Sequence, residues 1–120
     1  MVGKLKMDKT KQENTTVIFR RWKPEYADGI IAIFPEIPSS IDGYHCSSYE
    51  QIGQHGGCDP ILVVSKTKPT KNEQNSPDYL NLKKELEDIG YVLDVKQRFT
   101  RKMFEKCRQT AKEWSQENEK

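Results

Sequence analysis

The run Ile30–Phe34, IIAIF, is the longest uninterrupted apolar stretch in the chain. It constrains the fold more than any other feature. Preceded by Gly29 and ended by Pro35, it is too short for a buried helix and apolar on both faces. Such a run reads as a central β-strand covered on both sides. Thr15–Trp22, TTVIFRRW, is rich in β-branched and aromatic residues and reads as a strand beside it. The short link through Pro24 to Gly29 makes the two an antiparallel hairpin.

A covered strand needs helices to cover it. Ser76-Pro77 carries a helix-start signal, with Ser at the cap and Pro at the first position. Tyr79, Leu82, Leu86 and Ile89 follow at three- and four-residue spacing, flanked by Leu80, and Gly90 ends the segment. Thr100 can cap a last helix, with Phe99 and Phe104 placed as a hydrophobic staple. Met103, Cys107, Ala111 and Trp114 extend its apolar stripe, which reads as core packing. Two more strands are expected: Ile61–Lys66, ILVVSK, and Tyr91–Phe99, YVLDVKQRF. The unit 61–99 would be a right-handed crossover if its strands lie parallel. The expected core is Ile31, Ile33, Leu62, Val64, Leu93 and Val95 with Leu82 and Leu86.

The segment Pro35–Pro60 fits none of this. Its 26 residues hold three prolines and four glycines. So long an irregular loop in a small domain is usually functional. Ser47 and Glu50 match a capping box, so a short helix ended by Gly53 is expected there. The expected fold is therefore α+β: one small domain over 15–115, about four strands in a mixed sheet, two main helices, and a long loop or short helix between strands 2 and 3. Residues 1–14 read as a disordered basic arm and 116–120 as a frayed tail.

With 120 residues the chain holds one domain's worth of core. Its apolar fraction is 34% and its mean hydropathy −0.88. No stretch approaches the ~20 apolar residues of a membrane helix, and none resembles a secretion signal. A soluble cytoplasmic protein is expected. Cys46, Cys58 and Cys107 are odd in number and form no CxxC pair, so reduced thiols are expected rather than a disulfide framework.

The formal charge of +2 hides a pattern. Residues 1–24 carry net +5, residues 25–95 net −7 and residues 96–120 net +4. Basic ends around an acidic middle can mark a polyanion surface. Arg20, Arg21 and Lys23 lie at one end, and Lys96, Arg98, Arg101, Lys102, Lys106, Arg108 and Lys112 at the other. Arg101, Lys102, Arg108 and Lys112 are the candidate nucleic-acid contacts, and Trp22, Tyr44 and Tyr49 could stack on bases if exposed. Solvation of a helix face explains the same charges.

The segments FRRW, IIAIFPEIP, GYHCSSYEQIGQHGGCDP and LKKELEDIGYVLDVKQR resemble a family of short bacterial and phage-borne proteins. Members share a phenylalanine–arginine strand, an I-A-L-F-P-E strand, a tyrosine-rich segment ending in G-Q-H and an L-x-x-E-L-x-x-I-G-Y helix. The resemblance covers about Val17 to Arg98. It implies a bacterial or mobile-element origin and carries no established activity.

Both histidines and two of the three cysteines fall within 43–59. His45, Cys46, His55 and Cys58 offer zinc-type donors, but adjacent His45 and Cys46 point apart in regular structure and match no standard spacing. Cys58 three residues after His55 would meet its imidazole on a helical turn, and Ser47 or Ser48 could meet His55 and Asp59. No nucleophile elbow or cysteine-enzyme signature accompanies them. The glycines of 53–57 lack the Lys-Ser/Thr end of a phosphate loop, and Glu36 and Asp42 read as solvated loop acids. The expected function is a small non-enzymatic accessory protein that binds a macromolecule, protein or nucleic acid. It would use a surface site of Tyr44, Tyr49, Gln54 and His55 or the basic C-terminal helix, without metal or cofactor. The alternative is a small enzyme or metal-binding protein centred on His55 and Cys58.

Overall fold

In a computed structural model describing residues 14–50 and 54–118, the chain is an α+β domain with a mixed sheet between two main helices. The expected basic arm at 1–14 lies outside the described residues except for Asn14, and of the expected tail only 116–118 is described. Six strands are described where the sequence points to about four. They are β1 Thr15–Trp22, β2 Ile30–Pro38, β3 Cys46–Glu50, β4 Gln54–Cys58, β5 Thr67–Pro69 and β6 Leu93–Lys96. The helices are α1 Pro60–Ser65, α2 Pro77–Ile89 and α3 Arg101–Asn118, with a 3-10 turn at Lys71–Glu73.

The sheet order is β4-β3-β2-β1-β5. β1 and β2 form the expected antiparallel hairpin, pairing Ile18 with Ile33 and Arg20 with Ile31. The far edge of β1 is shared. Its first half pairs in parallel with β6, and its last three residues pair antiparallel with β5. β5 and β6 therefore lie end to end along one strand, and 61–99 is not a crossover.

β2 is central, as its two apolar faces require. Ile30, Ala32 and Phe34 join Val17, Phe19 and Tyr49 under α2, packed on Tyr79, Leu82 and Leu86. Ile31 and Ile33 join Ile18, Cys46 and Val63 on the other face, under Met103 and Cys107 of α3. Both helices start as their signals predict. Pro77 opens α2, although the Ser76 hydroxyl turns back to Glu73 O (2.8 Å). Thr100 Oγ1 accepts from Met103 N, and Phe99 meets Phe104 edge-on.

Two further expectations fail. Ile61–Lys66 is not a strand: Pro60–Ser65 is helical. The Asp59 carboxylate accepts from Ile61 N and Leu62 N, and Pro60 occupies the first turn. A four-residue apolar run cannot distinguish strand from helix by period, and the cap decides. Leu62 is thus half-exposed and Val64 only partly buried, so neither is core. Leu93 and Val95 are also partly buried, at the margin of the α2 cluster. Ile89 and Leu80 are exposed.

The second failure is 35–60. Instead of a long loop with a short helix, the chain forms the β3–β4 hairpin, and Ser47 and Glu50 pair in strands. An apolar β2 with an open edge would leave buried backbone groups unpaired, and β3 satisfies them. Pro35 and Pro38 are accommodated because the β2–β3 register shifts between Phe34 and Pro38. The expected helix stop at Gly53 lies outside the described residues.

Candidate functional site

Residues 39–45 connect β2 to β3 as a closed loop. Ser39 N donates to His45 O (2.9 Å) across its base. Inside it, Asp42 Oδ1 accepts from Ser40 Oγ (2.7 Å) and Tyr44 N (3.0 Å), and His45 N donates to Ser40 Oγ. The Ser40 hydroxyl, with Tyr44 N, holds the Asp42 carboxyl below its usual range. Gly43 adopts φ +77°, and a Cβ there would fall 2.5 Å from Arg108 Cα. Only glycine lets this loop lie directly on α3.

The loop and α3 share aromatic contacts. Tyr44 meets Phe104 edge-on at 5.6 Å, and the Arg108 guanidinium lies 4.6 Å from the Tyr44 ring centre. Beside this contact a groove of about 490 Å³ is lined by Ile41, Asp42, Glu105, Arg108 and Lys112. An adjoining groove of about 460 Å³ runs between Pro38–Ile41 and Ala111, Trp114 and Ser115. Ile41 is 85% exposed and Trp114 48%. Trp114 continues the stripe of Met103, Cys107 and Ala111, yet it is not core. The three are buried over the sheet; Trp114, a turn later, faces the loop after β2 ends.

The other expected site residues do not gather here. Tyr49 is buried in the α2 cluster rather than lining a surface site. The neighbouring Glu85 carboxylate pushes its hydroxyl pKa up. His55 is exposed on the same side of the sheet, edge-on to Tyr49 at 4.7 Å, with Nε2 3.0 Å from Tyr91 Oη. Gln54 pairs with Glu50. Tyr44 stands on the opposite side, with α3. Tyr49 and His55 therefore lie on one face and Tyr44 on the other.

The basic residues split too. Arg20 is 8% exposed and structural: Nε donates to Thr67 Oγ1 (2.8 Å), and Nη2 to Val64 O (3.0 Å) and Thr67 O (2.9 Å). Burial lowers its pKa. Arg21 is paired with Glu73 and Asp78, and Lys23 Nζ donates to Ser65 O. Trp22 is partly buried and donates to Glu50. Each of these side chains is engaged within the protein. Arg101, Lys102, Arg108 and Lys112 are all exposed, but only Arg108 and Lys112 line the groove, with Asp42 and Glu105 beside them.

His55 and Cys58 are three residues apart on a strand and so face opposite ways. His55 sits with Tyr49 and Tyr91, and Cys58 faces Cys46 on the α3 side, with Sγ–Sγ 3.8 Å. The thiol–imidazole pair considered from sequence does not form. Among the described residues no group of three or more His, Cys, Asp or Glu side chains is placed to hold a metal ion, and no helix is long and apolar enough to cross a membrane.

Sequence reading missed Ile41 and the Cys46–Cys58 pairing, and it placed Trp114 in the core stripe although the residue is 48% exposed. An isolated isoleucine between Pro38 and Gly43 was a signal for the first; nothing local signals the others. No family model, curated protein or solved structure matches the chain.

Proposed function

We propose that this is a small non-enzymatic accessory protein, of bacterial or phage origin and acting in the cytoplasm, that binds a protein partner through the groove between the 39–45 loop and α3. The observation carrying this reading is the pairing of exposed Ile41 and Trp114 across one groove. Large apolar side chains exposed together mark interaction surfaces, and tryptophan is enriched among residues that dominate binding energy. The loop's internal hydrogen bonds and its contact at Gly43 hold the surface in place before binding, which lowers the ordering cost. Arg108, Lys112, Asp42 and Glu105 give it a rim of mixed sign suited to a protein. The bacterial or phage origin rests on the sequence resemblance.

Nucleic acid is the second reading, favoured by the exposure of Arg101, Lys102, Arg108 and Lys112. The carboxylates of Asp42 and Glu105 beside two of the four oppose phosphate. Cross-linked capture from the source cell separates the two, using wild type, Trp114→Ala and His55→Ala. The protein reading expects a partner retained by wild type and His55→Ala and lost by Trp114→Ala. Binding to DNA or RNA that persists in Trp114→Ala, with a log–log salt slope of about −3 to −4 for four phosphate contacts, would overturn it.

A further inference from the structure

Cys46 and Cys58 are direct cross-strand partners in the β3–β4 hairpin. Such partners sit roughly 4.5–5.5 Å apart at Cα, within the roughly 4.4–6.8 Å found in disulfides. Their sulfurs are 3.8 Å apart and unbonded. The two thiols differ in access. Cys46 is fully buried, whereas Cys58 is partly exposed on β4, the last strand of the sheet order. The preceding residue on its face is Gly56, which places no side chain over the sulfur. Cys107 lies below, with its thiol directed at His45 O (3.8 Å).

We propose that Cys46 and Cys58 form a reversible thiol–disulfide site whose co-substrate is a low-molecular-weight disulfide, with Cys58 as the entry thiol and Cys46 as the resolving thiol. The Cys58 thiolate attacks one sulfur of the incoming disulfide and expels one thiolate. Cys46 then gives up its proton and attacks the Cys58 sulfur, expelling the second. The protein gives up two protons and two electrons; the electrons reduce the small disulfide and the protons end on the two expelled thiolates, which leave as thiols.

The surroundings assign the roles. The Cys58 sulfur lies against the Cys46 sulfur, with Ser48 on the same face of β3. Together Cys46 and Ser48 hold the Cys58 thiol below its ordinary value despite burial and the Asp59 and Glu50 carboxylates. The same contact, with burial, pushes Cys46 up. Burial pushes Cys107 up as well. Thiolate character and access select the attacking cysteine, and both favour Cys58. Gly57, next to it, lies against Ser39, since a Cβ there would fall 2.5 Å from Ser39 Oγ. The bridge would therefore tie the hairpin beside the base of the 39–45 loop.

The test mixes the reduced, folded full chain with oxidised glutathione and follows its intact mass. Wild type and Cys107→Ser should each lose two hydrogens and retain no glutathione. Peptide mapping should join Cys46 to Cys58, and dithiothreitol should reverse the change. Cys46→Ala should gain one glutathionyl group on Cys58 and stop there. Glutathione held stably by wild type, a bridge to Cys107, or an unchanged mass would overturn the proposal. If Cys46→Ala does not fold, the wild-type map still decides, because only a 46–58 bridge supports it.

Discussion

The two faces of the sheet are built from the same three central strands but differ in kind. Under α2, Phe19, Phe34, Tyr49 and Tyr79 fill the space with rings, with Phe19 and Tyr79 centred 4.8 Å apart, and Leu82 and Leu86 are fully buried. Under α3 the layer is isoleucine, valine, methionine and thiol. Its stripe runs past the sheet to an exposed Trp114, and a loop rather than a strand lies beneath the last buried turn. One helix seals its face; the other overhangs it. The surfaces able to recognise or react, the Ile41–Trp114 groove and the Cys46–Cys58 pair, lie on the α3 side.

The comparison can be broken by mutation. Leu86→Ala removes a fully buried side chain from the sealed face and should cost ~2–5 kcal/mol in urea unfolding. A loss below ~1 kcal/mol would mean that α2 does not seal this face.

Gly43→Ala tests how firmly the loop rests on α3. The added Cβ meets the Arg108 backbone at a positive φ, whereas at Gly29, also at positive φ, it meets nothing within 4 Å. Both changes carry the left-handed cost of roughly 1–2 kcal/mol. Gly43→Ala should add an overpacking cost of ~1–3 kcal/mol. Equal losses at the two sites would remove the close approach.

A smaller effect comes from Asp78, at the start of α2. Burial alone would raise its carboxyl pKa, but hydrogen bonds from Arg21 and Ser76 outweigh this and hold it below the usual value. A depressed folded-state pKa stabilises the fold above the unfolded value of about 3.9, and that contribution is lost as pH falls through the folded value. The pair is partly exposed, so the effect should be roughly 1 kcal/mol or less. Urea midpoints measured from pH 6 downward should show a drop in acid that Asp78→Asn reduces. An unchanged drop would remove Asp78 as its source.

The smallest stability effect should come from the overhang. Ile41→Ser and Trp114→Ala should shift the melting free energy by no more than ~0.5 kcal/mol, as surface changes do, while abolishing partner capture. A large destabilisation would make Trp114 a core residue after all and close the groove.

What could be read in the chain was what neighbours in sequence decide. Gly29–Phe34 announced a covered strand, TTVIFRRW its hairpin partner, Ser76-Pro77 and Gly90 the ends of α2, and Thr100 with Phe99 and Phe104 the start of α3. Each rests on a cap, a turn or a period within a few residues. Tyr44 and Arg108 both stand out in sequence, but nothing there puts them in contact. Their contact depends on Gly43 meeting α3 across more than sixty residues of chain, and no local pattern encodes that. The segment 35–66 was misread because its signals are short. ILVV satisfies strand and helix alike until Asp59 caps it, and the Ser47–Glu50 box is outweighed by the open edge of β2. Face assignment was the deepest gap. Tyr49 and His55 went to one side, and Cys46 and Cys58 to the other, because side chains on a strand alternate and a shift of one residue reverses them. Composition and local spacing thus determined that this chain is an α+β domain with a covered β2. Long-range pairing alone decided which side chains meet, because strand register is set by the partner strand and the packed face rather than by the residues on either side in sequence.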